Sequence, residues 1–256
     1  MKHFKQILFC CLVCTHLQFS CGKDAGVSSN QATASVGVGT GGSMARFTII
    51  GNYLYTVDSK NLKVFSIADP VNPILKNTVA IGFEIETIYP FKDKLFIGST
   101  SAVYIYSISN PEQPARLGTA ISPNVIRRCD PVIARDTVAY ATLRTNSACG
   151  GGPQSILAVY DVKNIQNPIQ KTFLNITEPY GLGFADSTLY VATKNGLNIY
   201  NINTEYNPFF IRNDRSQDWF YDVIPFGNVL ICWVKDGVLF FDITNRRNPV
   251  FISKIV

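Results

Sequence analysis

Histidine is almost missing from this chain. Its 256 residues include only two, His3 and His16, and both lie in an N-terminal stretch that reads as a cleavable signal. A mature chain without imidazole excludes a Ser-His-Asp or Cys-His catalytic pair and any zinc site built on histidine. Charge is also sparse, at 16% of residues, and forms no block of one sign. No apolar run approaches the roughly 20 residues of a membrane-spanning helix. No phosphate-binding Gly-Lys loop, calcium loop or dinucleotide fingerprint occurs, so no cofactor and no metal are expected. What the chain has instead is 17 Phe, 12 Tyr, 18 Gly and 13 Pro, spread among β-branched residues. That mixture predicts many short strands in one all-β domain.

Residues 1–20 combine basic Lys2 and Lys5 with the short apolar run from Ile7 to Val13, the pattern of an export signal. The segment closes on Leu17-Gln18-Phe19-Ser20-Cys21, which resembles a bacterial lipobox with Cys21 as the lipidated residue. The other reading is an ordinary signal peptide with Cys21 left as a free thiol. Removing residues 1–20 leaves 21 basic against 18 acidic residues, too balanced for a nucleic-acid-binding surface. Residues 21–43 are small and polar and read as a lipid-anchored tether, with Ala34-Ser35-Val36-Gly37-Val38 able to dock as an extra strand.

From residue 44 onward the sequence repeats. Pro73, Pro114, Pro168, Pro208 and Pro249 recur at spacings of 41, 54, 40 and 41. Ahead of each stands a triplet of aromatic, polar and aliphatic residues: Phe65-Ser66-Ile67, Tyr106-Ser107-Ile108, Tyr160-Asp161-Val162, Tyr200-Asn201-Ile202 and Phe241-Asp242-Ile243. In the first unit, strands are expected over 46–50, 53–57, 62–67 and 74–79, and the last unit repeats them over 222–226, 229–234, 238–243 and 250–255. Four strands about every 41 residues predict a five-bladed β-propeller closed into a ring over residues 44–256, with a stacked solenoid as the competing arrangement.

The units resemble the LVIVD repeat of exported prokaryotic proteins, whose first strand position is filled here by Leu54-Tyr55, Leu95-Phe96, Ala139-Tyr140, Leu189-Tyr190 and Leu230-Ile231. Ser20-Cys21 followed by Gly22-Lys23-Asp24, the stretch Gly41 to Phe47, and Cys129-Asp130-Pro131-Val132 resemble Bacteroidetes lipoproteins carrying these repeats. The resemblance implies a propeller and a cell-envelope address, lipid-anchored to the outer membrane on its periplasmic or cell-surface side. It implies no chemical activity.

The spacing of 54 marks about 13 extra residues in the third unit, between Arg144 and Gln154. Blade topology brings Cys129, ahead of the inner strand, to the same face as Cys149, and export favours a disulfide between them. Cys232 lies in an apolar strand and reads as a small hydrophobe. Superposing the inner strands places Arg46, Glu86, Arg128, Asp130, Glu178, Tyr180, Trp219, Tyr221 and Asp222 near the upper mouth of the central channel. Mixed charge with aromatic rings suits a protein epitope or a glycan.

The expected function is therefore a non-enzymatic binding or scaffold module, monomeric, for an envelope protein or glycan, touching the membrane only through its lipid. The enzymatic alternative is a glycoside hydrolase drawing its acid and base from Glu86, Asp130, Glu178 and Asp222. A purely structural envelope protein is the third class. Asp136-Thr137-Val138 and Asp186-Ser187-Thr188 resemble O-glycosylation acceptors on surface turns.

Overall fold

A computed structural model describes residues 41–121, 131–145 and 154–256. The regular structure there is twenty strands in five four-stranded antiparallel sheets. Blade 1 holds β1 (Phe47–Ile50), β2 (Tyr53–Val57), β3 (Asn61–Ser66) and β4 (Ile74–Ala80). Blade 2 holds β5 (Ile85–Phe91), β6 (Lys94–Ser99), β7 (Val103–Ser107) and β8 (Ala115–Ala120). Blade 3 holds β9 (Val132–Arg135), β10 (Val138–Leu143), β11 (Ile156–Asp161) and β12 (Ile169–Asn175). Blade 4 holds β13 (Pro179–Ala185), β14 (Thr188–Thr193), β15 (Gly196–Asn201) and β16 (Phe209–Asp214). Blade 5 holds β17 (Phe220–Phe226), β18 (Val229–Val234), β19 (Gly237–Asp242) and β20 (Val250–Ile255). The first strands of successive blades touch one another and line the axis, so the chain is a five-bladed β-propeller.

The repeated motifs have local causes. In all five blades the residue before the conserved-position proline closes a turn onto the carbonyl three residues back: Asn72 to Asp69 (3.2 Å), Gln113 to Asn110 (3.0 Å), Asn167 to Asn164 (3.0 Å), Asn207 to Thr204 (3.3 Å) and Asn248 to Asn245 (2.9 Å). Each proline then precedes the outer strand, a position where its missing N–H costs no ladder bond. The polar middle residue of the triplet caps that loop: Asp161 Oδ1 accepts the Lys163 N–H at 2.9 Å and Asp242 Oδ1 accepts that of Thr244 at 2.7 Å. The aliphatic third residue sends its own N–H to the turn between the first two strands, as Ile67 does to Asn52 and Ile243 to Asn228, both at 2.8 Å. The aromatic first residue sits at a register shift between third and fourth strands in every blade, the extra twist that lets a blade curve around the axis.

Four apolar cores join neighbouring blades, and each draws one Leu-Tyr-type pair from the two sides. Tyr55 and Leu95 share the core of blades 1 and 2, and Phe96 and Ala139 that of blades 2 and 3. Tyr140 and Leu189 lie between blades 3 and 4, and Tyr190 and Leu230 between blades 4 and 5. Two of these tyrosines also bind across the junction: Tyr55 Oη donates to the Pro111 carbonyl at 3.0 Å and Tyr190 Oη to that of Arg246 at 2.6 Å.

Among the described residues no fifth core joins blade 5 to blade 1. The central strands β10 and β14 are buried at every position, covered on both faces, whereas β2, β3, β18 and β19 bury alternate residues only. Among the described residues, the outward faces of these strands in blades 1 and 5 are only partly covered.

Candidate functional site

The inner strands begin at the upper mouth of the channel, and the segment leading into β1 crosses it. Ser43 is 1% exposed. Its Oγ donates to Asp222 Oδ1 at 3.2 Å in blade 5 and accepts the Leu182 N–H at 2.7 Å in blade 4. The Met44 N–H reaches Asp222 Oδ2 at 3.3 Å, and the Ala45 carbonyl accepts the Ile88 N–H of blade 2 at 2.9 Å. Gly42 and Ser43, the last residues of the segment read as a tether, pack against the propeller; residues 21–40 lie outside the described residues. A short hydroxyl and two small neighbours fit here because the space is closed. A Cβ on Gly42 or on Gly181 would stand 2.0 Å from one or the other Asp222 carboxylate oxygen.

Asp222 is thus not the rim ligand that the sequence suggests. It is 7% exposed, and burial pushes its carboxyl up to about 6 against the opposing donors Val223 N–H, Met44 N–H, and the Ser43 hydroxyl and N–H. The group ties blade 5 to the segment ahead of blade 1 and has no open face for a substrate.

Above this plug lies a cleft of about 450 Å³, whose lining includes Met44, Arg46, Glu84, Glu86, Thr100, Pro131, Arg144 and Tyr180. Three of the expected residues, Arg46, Glu86 and Tyr180, meet here. Arg46 is oriented by a 2.8 Å bond from Nη2 to the Ile85 carbonyl. Arg144, which sequence marked only as the start of the insert, places its guanidinium 4.0 Å from the centre of the Tyr180 ring. Its position at the end of β10, where the third blade departs from the repeat, was the available signal.

From Tyr180 a row of rings runs across blades 4 and 5. Centroid separations are 5.7 Å from Tyr180 to Trp219 and also to Tyr221, 5.3 Å from Trp219 to Tyr221, and 4.8 Å from Tyr221 to Trp233. Trp219 borders a second groove of about 320 Å³ with Lys194, Arg215, Lys235 and Asp218. Lys194 stands 5.5 Å over the Trp219 ring and pairs with Glu178 at 3.0 Å. Glu178 is thus held by Lys194 and lines a neighbouring pocket with Thr145 and Ser155 rather than the cleft that holds Glu86. Arg128, Asp130, Cys21 and the Cys129–Cys149 pair lie outside the described residues. Cys232 is buried and its thiol is pushed strongly upward by desolvation, as its apolar strand suggests. Among the described residues, no group of three His, Cys, Asp or Glu side chains converges in a way that could hold a metal.

No family model matches the chain, and no curated protein matches it in sequence. Its fold is similar to that of a functionally unknown protein from Desulfotomaculum acetoxidans, with a TM-score of 0.60 at 13% identity over 80% of this chain and 68% of that one. The periplasmic gluconolactonase of Pseudomonas aeruginosa is similar at TM-score 0.58 and 12% identity, covering 80% of this chain and 67% of that chain. Apo AztD from Citrobacter koseri gives 0.58 at 12% identity, with 79% of this chain covering only 59% of that chain. At such identities the likeness is one of fold: this chain is similar to larger propellers of several kinds.

Proposed function

We propose that the chain is an exported cell-envelope lipoprotein of the LVIVD-repeat type, anchored through Cys21 to the outer membrane, whose propeller is a non-enzymatic binding module for a protein or glycan. The observation that carries the binding role is the upper cleft, where the Arg144 guanidinium stacks on Tyr180 beside Arg46 and Glu86. Charges there fix the orientation of a ligand, and the ring row beyond Tyr180 offers flat stacking area. A rigid blade scaffold with variable loops is suited to this task.

Hydrolysis has less support. An acid and base pair needs two carboxylates facing one substrate, yet Asp222 is enclosed between Gly42 and Gly181, and Glu178 is ion-paired to Lys194 in the neighbouring groove. The lactonase among the structural neighbours shares the fold at 12% identity, which carries no chemistry across.

The test is a crosslinked pull-down from intact cells with the wild-type lipoprotein and an Arg144→Glu, Trp219→Ala variant, run beside a glycan array. A stoichiometric protein, or a glycan, retained only by the wild type is expected. Equal retention by both baits, or turnover of any glycan, overturns the reading.

A further inference from the structure

Comparison of the five blades at one position singles out a groove. Two residues before the aromatic of each triplet, the third strand pairs with the fourth through Lys63–Thr78, Tyr104–Thr119, Ala158–Phe173, Asn198–Asn213 and Leu239–Lys254. Only blade 4 places two amides there. Ala158 and Leu239 are buried in the cores between blades, whereas Asn198 and Asn213 line an open groove of about 450 Å³ between blade 3 and blade 4. That volume is in the range of small-ligand sites.

The amides are held in a chain of hydrogen bonds. Asn213 Nδ2 donates to the Asn195 carbonyl at 2.9 Å and to Asn198 Oδ1 at 2.7 Å, and Asn198 Nδ2 donates to Tyr200 Oη at 3.4 Å. Gly196 makes room for this chain, since a Cβ there would stand 2.7 Å from Asn213 Oδ1. Its ends have capacity to spare. Tyr200 is 4% exposed, yet among the described residues its hydroxyl proton meets no acceptor and Asn213 Oδ1 meets no donor. A buried donor without a partner costs free energy that a ligand oxygen would recover. From the blade 3 side, Asn175 and Thr177 bring a further amide and hydroxyl that no described side chain engages. Phe210 stands at the edge, 48% exposed, with its ring 5.5 Å from that of Tyr200.

None of the residues lining this groove is charged. The upper cleft differs, since Arg46 and Arg144 meet Glu84 and Glu86 there. An ion entering the groove would lose water without gaining a counter-charge. A sugar ring fits instead, because its hydroxyls both donate and accept, as amides do, and its C–H face suits an exposed aromatic ring. We propose that the groove between blades 3 and 4 binds a neutral saccharide, with Asn198, Asn213 and Tyr200 bonding its hydroxyls and Phe210 stacking on its ring. The groove shares no lining residue with the upper cleft, so the inference holds whether or not that cleft binds a ligand. A second pocket shares Asn175, Ile176 and Thr177 and prolongs the groove, which leaves space for more than one sugar.

The test titrates the full chain, purified in detergent, with cellotriose, maltotriose, mannotriose and triacetylchitotriose in a calorimeter. Trigalacturonate and tetraglycine are the charged and peptide counterparts. At least one neutral trisaccharide should bind, with an affinity that salt does not change because no ion pair forms. Asn213→Ala, Phe210→Ala and Tyr200→Phe should each weaken it by about tenfold. Thr177→Trp fills the groove from an exposed position and should abolish binding with melting unchanged, which separates loss of the site from loss of the fold. Thr119→Ala, at the matching position of blade 2, should leave binding as it is. Absence of binding by all four neutral sugars overturns the inference. So does binding that survives Thr177→Trp, and so does tighter binding of trigalacturonate or tetraglycine than of any neutral sugar.

Discussion

The Ser43 hydroxyl donates to Asp222 Oδ1 at 3.2 Å across 179 positions of sequence, so the segment before the first blade is held by the inner strand of the last. The Leu182 N–H to Ser43 Oγ bond at 2.7 Å and the Met44 N–H to Asp222 Oδ2 bond at 3.3 Å tie the same segment to blades 4 and 5. Ser43→Ala leaves a buried amide and a buried carboxylate each short of a partner. A loss of about 1–3 kcal/mol is expected, or several degrees in melting temperature for a domain of this size. Gly42→Val should cost at least as much, because its Cβ falls on the Asp222 carboxylate. Thermal melts of the two variants check both.

Asp222 also gives stability a pH dependence of unusual sign. Its carboxyl is raised by burial to about 6, above its value in the unfolded chain, so the folded state binds the proton more tightly. The resulting stability is fully present below about pH 4 and is lost as pH rises through 6, by about 3 kcal/mol for a shift of this size. Asp58 works in the opposite direction, since backbone donors from Lys60 and Asn61 hold its carboxyl low and its contribution disappears only in stronger acid. Urea melts between pH 4 and 7 should show falling stability for the wild type and a flatter profile for Asp222→Asn. An unchanged slope in that variant would assign the effect elsewhere.

The inter-blade tyrosines make a third test. Tyr190 Oη reaches the Arg246 carbonyl in the loop of the next blade at 2.6 Å, while its ring is fully buried. Tyr190→Phe keeps the packing and strands the carbonyl, so a loss of about 1 kcal/mol is expected in chemical denaturation. The same substitution at Tyr53, which bonds Glu112 in a more exposed setting at 3.2 Å, should cost less.

Much of this fold was legible because the repeat encodes local bonds. The Asn-Pro and triplet signatures each correspond to one hydrogen bond made in every blade, and the strands they bracket in blades 1 and 5 fall within two residues of their expected limits. The long-range partner of Ile231 and of Leu54 was not legible, because nothing local to either residue reports it. The upper site was half legible. Arg46, Glu86 and Tyr180 share a cleft as superposed strands suggest. Asp222 sits at the same strand height, but its side chain turns inward because Gly42 and Gly181 leave room for it. Arg144 escaped the superposition because only inner-strand residues were superposed, whereas it follows the second strand of its blade, as Lys194 and Lys235 do in blades 4 and 5.

The chain's two tryptophans mark two positions along the ring row optically. Trp219 lies in the upper groove under Lys194, whereas Trp233 lies on the free face of blade 5 with half its surface in solvent. In Trp233→Phe the remaining emission reports the upper face, and a ligand stacking on the ring row should quench or shift it without responding to protein concentration. In Trp219→Phe the emission reports Trp233 at the far end of the row, 4.8 Å from Tyr221, and it shifts only when a ligand reaches that end. A ligand that spans the row shifts both emissions, whereas one confined to the groove at Trp219 shifts only that of Trp233→Phe.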